Sequence, residues 1–89
     1  MAILLKADGT ASMVRPSDEQ NGFSLKALQG LVGGMIEIVS TLDGAQMVID
    51  DEGKLKGKPV NEAATRLYVH GHRDAIVGDA LVCKAGELQ

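Results

Sequence analysis

The pair Asp-Gly occurs twice in this chain, as Asp8-Gly9 and Asp43-Gly44, each time between two short runs rich in apolar residues. Glycine enters the positive-φ region at little cost and Asp tolerates it, so Asp-Gly flanked by apolar runs is a strong short-range signal for a tight β-hairpin. Ala2–Lys6 is therefore expected to pair with Thr10–Arg15, and Met35–Ser40 with Ala45–Asp50, both antiparallel. Pro16 stops the second run because it has no N–H for a ladder, and the polar Ser17–Gly22 reads as an exposed, mobile connection.

Two helices fit between and after these hairpins. Ser24 is a good N-cap for a helix through about Val32, with Phe23 ahead of it as a hydrophobic staple and Leu25, Leu28, Leu31 and Val32 on one apolar face. Gly33-Gly34 ends that helix by allowing a left-handed residue. Asn61 caps a second helix, Glu62 to about Val69, whose apolar side is Ala63, Ala64, Leu67 and Tyr68. Ala75–Val77 and Ala80–Lys84 read as two last strand segments, and Ala85–Gln89 as a flexible tail. The order ββαββαββ predicts an α+β fold: a small, mainly antiparallel sheet of hairpins with two short helices packed on one face.

With 89 residues there is room for one core, so residues 1–89 are read as a single domain. A chain this short hides only about 60 to 65% of the surface its unfolded form exposes, which makes self-association an expectation. Phe23 and Tyr68 are the only aromatic residues, so the core must be built from Leu, Ile, Val and Met with Ala as filler. A formal net charge of −3 argues against a general nucleic-acid binder, which carries a basic face to neutralise phosphates. The lone Cys83 lies in the apolar run from Ala80 and reads as a buried thiol suited to a reducing cytoplasm. The N-terminal Met-Ala-Ile-Leu-Leu-Lys has too short an apolar run for a signal peptide or membrane span.

No phosphate-loop, zincin, nucleophile-elbow or paired-cysteine pattern occurs, so no catalytic residues, metal or cofactor are expected. His70-Gly71-His72 with Asp74 reads as a solvated break after the second helix, the lesser alternative being a metal site or general base of a nucleotide-degrading enzyme, and Asp50-Asp51-Glu52 reads as an acidic turn without a second cluster to complete a metal shell. The best candidate for a site is Gly53–Asn61, which leads into the helix that carries Arg66. If that segment is extended, Lys54, Lys56 and Lys58 project to one side, beside free N–H groups at the helix start, and can hold a phosphate. Thr65 and Tyr68 lie on the same helix, and Tyr68 can stack a base. The alternative is a solvated lysine face that balances the acidic triplet before it.

The pieces Leu31-Val32-Gly33-Gly34 with Ile36-Glu37 and Val39, Asp51-Glu52-Gly53-Lys54-Leu55-Lys56-Gly57 with Pro59, Asn61, Ala64 and Thr65, and Ile76-Val77-Gly78-Asp79 with Leu81-Val82 stand in one order along nearly the whole chain. In this it resembles a small domain family of unknown function found in phages, plasmids and other mobile elements. The resemblance implies an accessory protein acting in the host cytoplasm, and by genome context an anti-defence protein: a homo-oligomeric sponge that sequesters, without cleaving it, a nucleotide immune signal of the Thoeris or CBASS kind. Lys54, Lys56, Lys58, Asn61, Thr65, Arg66 and Tyr68 would then hold the phosphate-bearing nucleotide. The other expectation, from a different class, is a protein-interaction module that inhibits or adapts a host protein through an exposed sheet edge or helix face.

Overall fold

The computed structural model describes residues 2–16, 20–84 and 87. Five strands form one sheet: β1 (Ala2–Leu5), β2 (Ala11–Val14), β3 (Ile36–Ser40), β4 (Gln46–Asp50) and β5 (Ala80–Cys83), with α1 (Leu25–Val32) and α2 (Glu62–Leu67) between them. The strand order is β2-β1-β5-β4-β3, and every neighbouring pair is antiparallel. Both Asp-Gly hairpins form as their turn chemistry predicts, with Gly9 at φ 95° and Gly44 at φ 85°. The last strand inserts between the two hairpins, and so joins them into a single sheet.

The α+β class with an antiparallel sheet and two helices therefore holds, but the helices do not share a face. Val48 and Leu81 are register partners, and with Ala2, Leu4 and Cys83 they pack under Phe23, Leu28 and Val32. The intervening residues Met47, Ala80 and Val82 pack on the opposite side with Ala64, Leu67, Tyr68 and Ile76. Because successive strand residues point to opposite faces, the sheet carries α1 on one side and α2 on the other. The physical reason is in β4 and β5: Met47-Val48 and Ala80-Leu81 are each 0% exposed, so these central strands are apolar on both faces and require a cover on each.

Local chemistry sets the helix ends. The Ser24 hydroxyl accepts from the Ala27 N–H at 3.1 Å, and Gly33 closes α1 at φ 84° with its N–H on the Gln29 carbonyl. Leu28 and Val32 are buried as expected, whereas Leu25 stands 55% exposed at the first turn. The second helix stops at Leu67 instead of Val69, because the chain turns extended at Tyr68 to bridge Thr41. The Leu42 N–H then binds the Leu67 carbonyl at 2.9 Å, and the Val69 N–H binds Ser40 at 3.1 Å. Pairing with the outer side of β3 outcompetes one more helical turn. Ala75–Val77 forms no strand of the sheet; it makes one bridge, Val60 with Val77, and accepts the Asn61 N–H at Ile76.

Residues 17–19 of the expected mobile connection lie outside the described residues, as do Ala85, Gly86, Leu88 and Gln89 of the expected tail. Glu87 is described: its carbonyl accepts the Phe23 N–H at 2.8 Å. No helix among the described residues is long and apolar enough to cross a membrane.

Candidate functional site

β4 ends on Asp50, whose place in the alternation puts it on the α1 face with Val48, opposite Ile36. Its side chain is completely buried, and a buried carboxylate must be paired and hydrogen-bonded to remain charged. The chain supplies the partners by folding back at once. Residues 51–57 form consecutive turns, with Gly53 N–H on the Asp50 carbonyl, Lys56 N–H on Glu52, Gly57 N–H on Lys54 and Lys58 N–H on Gly53, all at 3.0–3.1 Å. The Glu52 N–H donates to Asp50 Oδ1 at 2.9 Å. Lys56 and Lys58 bring their Nζ atoms to Asp50 Oδ2 at 2.9 and 2.7 Å.

The same two ammonium groups close the end of α1. Lys58 Nζ donates to the Val32 carbonyl at 2.8 Å and Lys56 Nζ to the Gly33 carbonyl at 3.2 Å. Cations at a helix C-terminus oppose its partial negative charge and satisfy carbonyls that have no partner within the helix. Burial pushes the Asp50 carboxyl up, but the hydrogen bonds from Lys58, Lys56 and the Glu52 backbone outweigh it and hold the group at about 2. Glycine 34 is needed where these groups meet: a Cβ there would collide with Lys56 Nζ and lie 2.8 Å from Asp50 Oδ1.

The coiling of 51–57 parts the three lysines that an extended segment would align. Lys54 turns to the other side of the loop and pairs with Asp74, both half-exposed. Asn61 is 1% exposed and fully engaged: Nδ2 donates to the Leu5 and Gly78 carbonyls at 2.8 and 2.9 Å, and Oδ1 caps α2 by accepting from Ala64 N–H at 3.1 Å. Thr65 Oγ1 donates to the Asn61 carbonyl at 2.8 Å and accepts from the Ile76 N–H at 2.9 Å. Arg66 is 80% exposed and faces Glu62 at 3.9 Å. Tyr68 is half-buried, with its ring edge-on to His70 at 5.6 Å.

Of the seven residues, Lys54 and Tyr68 share a cavity. It is a cleft of about 140 Å³ on the α2 face, with Val39, Ile49 and Ile76 among its apolar walls and Glu37, Asp51 and Asp74 among its polar ones. Reading the sequence alone missed Asp50 as the anchor of the loop. The signal was present, since Asp50 falls two residues after Val48 in an apolar run and so shares its buried face.

In comparisons with known proteins, a family model described as a domain of unknown function, DUF3846, matches residues 1–88. No curated protein and no solved structure matches the chain.

Proposed function

We propose that this chain, which belongs to the DUF3846 family, is a non-catalytic protein-interaction domain that takes its partner along the open edge of its sheet. One observation carries the reading. The two edge strands differ: the outer side of β3 is partly closed by Tyr68 and Val69, while among the described residues nothing pairs with the outer side of β2. Beside that edge an apolar row crosses all five strands on the α2 face: Met13, Ile3, Val82, Met47 and Val39. Met47 is fully buried, Ile3 is 44% exposed and Met13 69%, so the row runs out of the core onto open surface as it nears β2. An uncharged edge strand next to apolar side chains suits strand addition, in which backbone hydrogen bonds supply affinity and alternate side chains supply selectivity.

The test compares the chain with its Met13→Pro variant, both immobilised and exposed to a host-cell lysate. A stoichiometric protein retained by the first and lost by the second supports the reading. Equal retention on both overturns it, as does retention on neither if the chain also fails to pair with a second copy of itself.

A second proposal is the capture of a phosphate-bearing nucleotide signal, as the resemblance to mobile-element proteins implies. Lys54 and Tyr68 in one cleft favour it, with Arg66 exposed on the neighbouring helix. Against it stand Glu37, Asp51 and Asp74 around the same cleft, and the engagement of Lys56 and Lys58 by Asp50 and by the carbonyls at the end of α1. Equilibrium binding to cyclic dinucleotides, cyclic trinucleotides and ADP-ribose derivatives decides it. Affinity that Lys54→Ala and Tyr68→Ala abolish supports the proposal, and absence of binding across the panel ends it.

A further inference from the structure

The register of the first hairpin determines which backbone groups of β2 face outward. Lys6 N–H binds the Thr10 carbonyl at 2.8 Å, and the pairing continues as Leu5 with Ala11, Leu4 with Ser12, Ile3 with Met13 and Ala2 with Val14. In an antiparallel ladder, hydrogen-bonded pairs alternate with pairs that direct their groups away. Thr10, Ser12 and Val14 thus direct their backbone groups toward β1, while Ala11 and Met13 present two N–H and two C=O groups to the outside. This strand has no charged residue, no bulge and no proline within it, the devices that ordinarily protect an edge.

These four groups are self-complementary. If two β2 strands lie antiparallel about a two-fold axis through Ser12, Ala11 of each exchanges both backbone hydrogen bonds with Met13 of the other. Four hydrogen bonds form and no outward group is left over. On the α2 face, the small Ala11 then sits beside the large Met13 of the second copy, and the apolar row continues from one sheet to the next. The charges agree with that orientation. Asp8 stands at one end of the strand, where it accepts from the Thr10 N–H at 2.9 Å and hydroxyl at 2.7 Å, and the exposed Arg15 stands at the other. Antiparallel pairing brings Arg15 opposite Gly9 of the second copy, next to its Asp8. A parallel arrangement would set like charges together.

Resting on the edge reading above, we infer that the partner of β2 is a second copy of this chain, joined Ser12 to Ser12 in a continuous ten-strand antiparallel sheet. Two four-residue strands make a short contact, so the dimer is weak and depends on concentration.

Sedimentation velocity over a roughly hundredfold range of concentration should show the mass rising toward twice that of one chain. Met13→Pro removes an outward N–H at an edge position where proline is tolerated, and should weaken association at least ~tenfold while leaving the far-ultraviolet circular dichroism unchanged. Cysteine crosslinking tests the register even where that variant fails to fold. Residues directly opposite in a non-hydrogen-bonded pair have Cβ atoms about 4.5 Å apart, so Ser12→Cys should form an intermolecular disulfide on oxidation. Thr10→Cys should not, since the two copies of residue 10 lie roughly 13 Å apart along the strands. A monomer at every concentration, a dimer indifferent to Met13→Pro, or crosslinking at position 10 equal to that at 12 overturns the inference. A monomer that still loses a lysate partner on Met13→Pro overturns self-pairing alone; loss of neither a copy nor a partner overturns the edge reading as well.

Discussion

The loop from Asp50 to Lys58 and the strand β2 manage backbone and charge in opposite ways. The loop holds a fully buried carboxylate, two lysines that neutralise it, and two helix carbonyls that the same lysines cap. These groups all find partners within the chain. Strand β2 is exposed along Ala11, Ser12 and Met13 and leaves half of its backbone groups without a partner among the described residues. The loop looked more like a site in sequence because it is rich in charge and glycine, yet those letters serve to fasten α1 to the end of β4. Strand β2 is an unremarked Ala-Ser-Met-Val, and among the described residues nothing pairs with its outer side. In the loop, charge density coincides with countercharge from Asp50 and Asp74, while unpaired backbone leaves no trace in composition.

Substitutions separate the two regions by size of effect. Asp50→Asn leaves two partly exposed lysines facing a neutral amide and should cost about 2 kcal/mol in urea unfolding, the same loss that protonating the carboxyl brings. A loss under about 1 kcal/mol would mean the loop's network is not what holds it. Asn61→Ala removes a buried cap and the amide donor that the Leu5 and Gly78 carbonyls share, with an expected loss of roughly 2 kcal/mol by the same measurement.

Acid titration reads the loop without any substitution. Asp50 has its folded-state value lowered from 3.8 to about 2, so its contribution is fully present above the unfolded value and is lost as pH falls through about 2. Stability should drop by about 2 kcal/mol between roughly pH 4 and pH 2, and Asp50→Asn should lack that component of the decline. The smallest effects belong to the exposed groups. Lys54→Ala and Arg66→Ala, whose ion pairs are half-exposed or more, should each change stability by no more than about 0.5 kcal/mol. A larger loss at Lys54 would extend the fastened region to the α2 face.

Much of the architecture was legible because its causes are local. Asp8-Gly9 and Asp43-Gly44 dictate hairpin turns through the backbone freedom of glycine, and Ser24, Gly33 and Asn61 mark helix ends through the donors and acceptors they satisfy. The candidate site was legible only as a list of residues. Whether Lys54, Lys56 and Lys58 converge depends on where Asp50 and Asp74 lie, and these come from β4 and from the segment after α2.

The sequence by itself thus determined the hairpins, the helix starts and most of the core, since these follow from backbone propensity and from the spacing of apolar residues along a few positions, while the end of α2, the path of Ala75–Val77 and the exposure of Leu25 did not follow from it. Only the tertiary structure decided that β5 inserts between the hairpins, that the helices cover opposite faces, that the lysines are consumed by Asp50 and Asp74, and that β2 is left at an edge. Most of those outcomes depend on contacts between distant segments, such as Ile3 with Val82, and even the short reach of Lys56 and Lys58 back to Asp50 depends on how the loop between them coils, so no local pattern encodes which surface a strand or a charge will meet.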